Sequence, residues 1–145
     1  MFLDRAAILA ADDSETATVE VPEWGPPGAD PVPTVRVRSL TGDQRSRLFD
    51  RARAQDQGQP VPGGWTALCC VMGMIDDKGA LLFPNEAEAT SLGRKHFEVL
   101  ERISAKILEL SRMTKASREA EAKNSKTPTN SSGTSSPVES TPATV

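Results

Sequence analysis

The side chains able to do chemistry are few, and they are spread along the chain. His96 is the only histidine and stands between Lys95 and Phe97, with no second general acid, base or ligand at a spacing that would bring it to the same site. Asp12, Asp13 and Glu15 form one acidic group and Asp76 and Asp77 another. Neither has the ligand spacing of a calcium loop, and both read as helix-end or turn acids. Cys69 and Cys70 are adjacent; neighbouring cysteines form only a strained disulfide, so they read as small buried hydrophobes of a reducing compartment. There is no glycine-rich phosphate loop and no nucleophile elbow. Asn130-Ser131-Ser132 fits the glycosylation pattern, which an intracellular chain does not use. The expectation is a protein with no catalytic residues, no metal and no cofactor.

The residues that invite a binding role are apolar. Trp24 and Trp65 are the only tryptophans. Each can cap a core, but Trp24 follows Pro22-Glu23 at the exit of a strand, where a half-exposed indole would anchor a partner. Phe97, Leu100, Ile103, Ile107 and Leu110 fall on one face of a helix expected over Arg94 to Met113. That face is long for so small a domain. It suits core packing or a partner helix, and Trp24, Phe97, Leu100 and Ile107 are the candidate partner-binding residues.

The elements that must position these residues follow from the pattern. Val19-Glu20-Val21 and Val35-Arg36-Val37-Arg38 alternate apolar and charged residues, as strands with one buried face do. They are expected to pair as an antiparallel hairpin over Ala17 to Val21 and Val35 to Ser39, with acidic and basic rows on the open face. Residues 26–34 between them carry four prolines and cannot join a ladder. Asp4 caps a short helix over 4–11. Thr41 with Gln44 has capping-box spacing and starts a helix over Gly42 to Ala54 that buries Leu48, Phe49 and Ala52 and exposes Arg45, Arg47 and Asp50. Leu68, Val71, Met72 and Ile75 make a single stripe on a central helix expected over Trp65 to Ile75. A turn at Asp76 to Gly79 and an apolar segment, Ala80 to Phe83, come next. Asn85 caps a short helix over Glu86 to Ser91, and a charged, alanine-rich helical piece is expected over Thr114 to Lys123.

Composition sets the outer limits. The chain has 145 residues, no tyrosine and a formal net charge of −3. It lacks the basic stripe with interleaved aromatics of a nucleic-acid binder, and its longest nearly apolar run, Ala67 to Ile75, is too short to cross a bilayer. Charges at Asp4 and Arg5 interrupt what would be a signal peptide. The expectation is a soluble intracellular protein of the α+β class: a small β-hairpin packed against several helices over residues 1–123, followed by a disordered Ser/Thr/Pro-rich tail over 124–145 that cannot offset its ordering entropy.

Three stretches carry a resemblance. Phe2-Leu3-Asp4-Arg5 with Ala7 to Asp13, then Val19-Glu20-Val21-Pro22-Glu23-Trp24-Gly25, then Val35-Arg36-Val37-Arg38-Ser39-Leu40-Thr41-Gly42, resemble the start of the tail assembly chaperones of long-tailed bacteriophages. Leu81-Leu82-Phe83 before an acidic helix, and a long helix ending near Ser111-Arg112-Met113-Thr114, are similar to the later part. The resemblance spans about residues 1–123. The loop 26–34 is longer than the family's short turn, and the tail matches nothing. The resemblance implies a non-enzymatic chaperone that binds the tape-measure protein in the host cytoplasm, keeps it soluble until the tail tube polymerises around it, and is not in the mature virion. It implies the tail-tube protein and a frameshifted longer form of the chain as further partners, and leaves homo-oligomerisation open. The alternative is a structural virion component, such as a tail or connector protein.

The composition of the tail yields the first prediction. Truncation after Asn124 leaves the thermal midpoint unchanged, because the removed residues carry almost no apolar side chains. A fall of several degrees in a melting curve would show that the tail packs on the domain.

Overall fold

The computed structural model describes residues 1–114. Met1–Ser111 form one compact unit, of the α+β class. The expected disordered tail, and all of the expected Thr114–Lys123 helix beyond Thr114, lie outside the described residues.

The alternating valines build the sheet. Strand β1 (Thr16–Glu20) pairs antiparallel with β2 (Thr34–Arg38), with Val19 opposite Val35 and Ala17 opposite Val37. The prolines keep the ladder out of residues 26–33 but do not prevent closure, and Val21 N–H still donates to Pro33 O at 2.8 Å. Glu20 faces Thr34, and Arg36 faces Thr18, so the expected acidic and basic rows share a face without meeting as ion pairs. The hairpin is also extended. A third strand, β3 (Met74–Ile75), adds antiparallel to β2, and Ile75 bridges to Leu81.

That strand corrects the helix expected over Trp65 to Ile75. Helix α3 (Trp65–Gly73) stops two residues earlier, and Met74 has extended backbone (ψ 131°). Gly73 sits where a Cβ would come within 2.5 Å of Ile107 Cδ1. Residues 67–73 are buried on every side, so Leu68, Val71, Met72 and Ile75 are all core as expected, the last from a strand.

Most of the other helices pack against α3, and α1 does not. Helix α1 (Arg5–Ala10) has Asp4 as its cap, accepting from Ala7 N–H at 2.9 Å. Helix α2 (Gly42–Asp56) opens on a complete capping box: Gln44 N–H donates to Thr41 Oγ1, and Thr41 N–H donates to Gln44 Oε1. Leu48 is buried, but Phe49 is 40% exposed, with the Arg45 guanidinium 5.1 Å above its ring; α2 meets the core along one narrow line, and Phe49 falls just outside it. Arg47, expected in solvent, is half-buried and donates to Glu86 at 2.8 Å. Asn85 caps a 3-10 turn over Glu86–Glu88, which leads into α4 (Ala89–Leu92). The last helix among the described residues, α5 (Phe97–Leu110), is shorter at both ends than expected and is capped by His96, whose Nδ1 accepts from Glu98 N–H at 3.2 Å.

Two glycines close the loop before α3 onto α4. A Cβ at Gly63 would lie 1.9 Å from Ala89 O, and one at Gly93 would lie 2.4 Å from Gly63 O. Both obstacles are backbone atoms, and Gly63 also has φ +78°. Gly63→Ala is therefore expected to destabilise the domain by at least ~2 kcal/mol in denaturant unfolding, whereas Gly58→Ala, in open space, costs only its positive φ.

Candidate functional site

The Pro22-Glu23-Trp24 segment folds as a 3-10 turn directly after β1, with Trp24 N–H donating to Val21 O at 2.9 Å. Proline at its first position fits, since that amide has no partner to lose. An ion pair to α5 holds the turn. Arg102 donates through Nη1 and Nη2 to the two Glu23 carboxylate oxygens at 2.9 and 2.7 Å, and Nη1 also reaches Glu20 O at 3.1 Å. This forked contact fixes orientation as well as distance. Trp24 is left half-buried.

The other three expected partner-binding residues separate. Phe97 is 59% exposed, at the first position of α5. Leu100 and Ile107 are buried, which corrects their assignment to a partner-facing surface. The reason is geometric. The inward stripe of α5 is Val99, Leu100, Ile103, Ser104 and Ile107, packed against α3 and the sheet. A domain this small has one core, and that stripe is spent on it. Phe97 stands outside the stripe, at the helix start.

The exposed apolar residues missed by sequence reasoning lie at the N-terminus. Helix α1 buries none of its residues. Phe2, Leu3, Ile8 and Leu9 all stand in solvent, Leu9 at 68% exposure. Their signal was present: apolar residues ahead of and on a helix of six residues, too short to be stable by itself, and followed in sequence by the acids Asp12, Asp13 and Glu15. Exposed apolar side chains gathered near one end of the described chain make this segment a candidate contact surface.

The chemistry-bearing side chains serve local structure. Asp12 accepts from Ser14 N–H and Oγ at 3.2 and 2.7 Å, and those bonds lower its pKa. Asp76 Oδ1 accepts from Lys78 and Ala80 N–H at 2.8 and 2.9 Å and organises the turn. Cys69 and Cys70 are free and buried. Burial raises both thiols, Cys70 to about 12, so neither is a thiolate at neutral pH. Among the described residues no group of three His, Cys, Asp or Glu side chains is placed to hold a metal ion. No described helix is long and apolar enough to cross a membrane.

No protein-family model, curated protein or solved structure matches the chain.

The Glu23–Arg102 pair yields a pH prediction. Hydrogen bonding from Arg102, with smaller help from the Glu23 amide and the charges of Arg102 and His96, lowers the Glu23 pKa from 4.5 to about 2. A depressed folded pKa stabilises the folded state at pH values above the unfolded pKa. That contribution is lost as pH falls through the folded value. The carboxylate is solvent-exposed, so the effect is small. Melting curves of the wild type and Glu23→Gln should differ at pH 7, and the gap should close between about pH 4.5 and 2.

Proposed function

We propose that the chain is a non-enzymatic tail assembly chaperone of the long-tailed phage kind. It binds the tape-measure protein in the host cytoplasm, keeps its apolar helical segments soluble until the tail tube polymerises around them, and stays out of the mature virion. The tail-tube protein and a frameshifted longer form of the chain are its further partners. The observation that carries the reading is the uncovered apolar set at the N-terminus: Phe2 and Leu3 ahead of α1, and Ile8 and Leu9 on that helix, which buries nothing of its own. Short amphipathic contacts of this sort cover apolar helices and release them again. The resemblance of residues 1–13, 19–25 and 35–42 to that family supports the same reading, as does the half-buried Trp24 beside an ion-paired turn. No step in this function asks a side chain for chemistry.

Co-expression with the tape-measure protein of the same phage tests it. The wild-type chain raises the soluble yield of that protein and co-purifies with it. The double variant Ile8→Ser, Leu9→Ser keeps its melting temperature, because neither side chain is in the core, and loses co-purification. Trp24→Ala weakens the association by about 1–3 kcal/mol. If the wild type neither solubilises nor co-purifies with the tape-measure protein, and purified particles contain it stoichiometrically, the chain is a structural tail or connector protein instead.

A further inference from the structure

The sheet has two edges, and the chain covers only one. At the β3 edge, Ile75 bridges to Leu81, and Leu82 N–H donates to Met74 O at 3.0 Å. The other edge is β1, which has β2 as its one neighbour in the sheet. Helix α5 packs on one side of β1 and β2, and α1 does not cover the strand that follows it. Thr16 and Thr18 are exposed.

Hydrogen-bond parity settles which backbone groups of β1 face outward. In an antiparallel ladder, alternate residues exchange both bonds with the neighbouring strand, and the residues between them turn N–H and C=O the other way. The bonds flanking β1 fix the phase. Ser39 N–H donates to Glu15 O and Val21 N–H donates to Pro33 O, each at 2.8 Å. Both pairs continue the register that sets Thr16 opposite Arg38 and Glu20 opposite Thr34. Ala17 and Val19 therefore bond to β2, and Thr16, Thr18 and Glu20 direct their backbone groups to the outer edge. Arg102 has taken one of these, the Glu20 carbonyl, at 3.1 Å. The N–H and C=O of Thr16 and Thr18 have no partner among the described residues. An exposed edge in this state is a template for another strand.

We infer that a second copy of the chain adds to this edge, β1 against β1, antiparallel about a two-fold axis at Ala17. The free groups select that register. Thr16 of one copy stands opposite Thr18 of the other, and each opposed pair exchanges two hydrogen bonds. Every free group of Thr16 and Thr18 is then used, and the Arg102 bond to Glu20 O stays intact. An axis at Thr18 would need Glu20 O as an acceptor. An axis at Thr16 would set Thr18 against Ser14, whose N–H is held by Asp12 Oδ1 at 3.2 Å. The side chains agree with the backbone. Both bonded pairs are threonine with threonine, a favourable cross-strand combination. At the axis alanine meets alanine, where opposed Cα atoms approach to about 4.5 Å. Beyond the bonded stretch Glu15 falls opposite Val19 and Glu20 opposite Ser14, so no like charges face each other. A foreign strand would find the same backbone groups and no side-chain pocket to select it. The pairing closes the open edge of both copies at once. Its contact is short, so the dimer is weak and reversible. The inference is independent of the chaperone reading: it uses neither α1 nor Trp24, and its test needs only this chain.

Sedimentation equilibrium of the full chain tests it. The wild type is expected to pass from monomer to dimer with a dissociation constant on the order of 100 µM. Thr18→Pro removes an outward N–H at a position where an edge strand accepts proline, and is expected to weaken the dimer about tenfold or more. The double variant Thr16→Glu, Thr18→Glu sets carboxylates against carboxylates across the axis, and within each copy sets them opposite Arg38 and Arg36. Its fold is therefore kept, as a melting curve checks, and its dimer is lost. Ala17→Cys is expected to cross-link two copies in mild oxidant, because the axis brings that position within disulfide reach of itself, whereas Gln55→Cys, exposed on α2, does not. Ile8→Ser, Leu9→Ser leaves the dimer unchanged. A wild type still monomeric at about 1 mM, a dimer that survives both β1 variants, or a dimer dissolved by the Ile8→Ser, Leu9→Ser change would overturn the inference.

Discussion

A helix with no exposed side governs this fold. From Ala67 to Gly73 every residue of α3 is buried, so other elements must surround it: α2 and α4 flank it, and α5 packs along it. At its end the chain leaves helical geometry for β3, and the last carbonyls lose their intrahelical donors. Gln44 supplies one of them. Its Nε2 donates to Met72 O at 2.9 Å while its Oε1 completes the capping box of α2. One buried amide thus starts one helix and finishes another. Without it, the transition from α3 to the sheet would leave a buried acceptor unsatisfied. The transition also needs Gly73, because Ile107 of α5 occupies the space a side chain would take.

Packing of this kind consumes the apolar residues of α3 and α5 and leaves others unspent. The core is aliphatic and closed by backbone contact at Gly63 and Gly93. Its two thiols are held protonated by burial and act as packing atoms. What remains for recognition lies on the periphery. Helix α1 offers apolar side chains with nothing over them, and the Glu23–Arg102 fork fixes the turn that carries Trp24. The outer edge of β1 offers backbone groups that β2 does not use.

Local chemistry was legible in the sequence wherever a residue acts on its own neighbours. The valine alternation determined both long strands, because a two-residue period leaves only one face to bury. Asp4, Thr41 with Gln44, and Asn85 determined helix starts, because a capping side chain needs only the amides two or three positions ahead. The stripe Leu68, Val71, Met72 and Ile75 determined core membership even where it misjudged the element, since burial and helicity are separate properties of an apolar run. Tertiary structure decided the rest. That Gly73 ends α3 depends on Ile107, more than thirty residues away, and that Met74–Ile75 become a strand depends on the free edge of β2. Phe97 and Phe49 turn outward, and Leu100 and Ile107 inward, because neighbouring elements select a narrower arc of each helix than periodicity alone defines. Whether an apolar side chain is core or contact surface is a statement about what covers it, and no pattern within its own helix contains that.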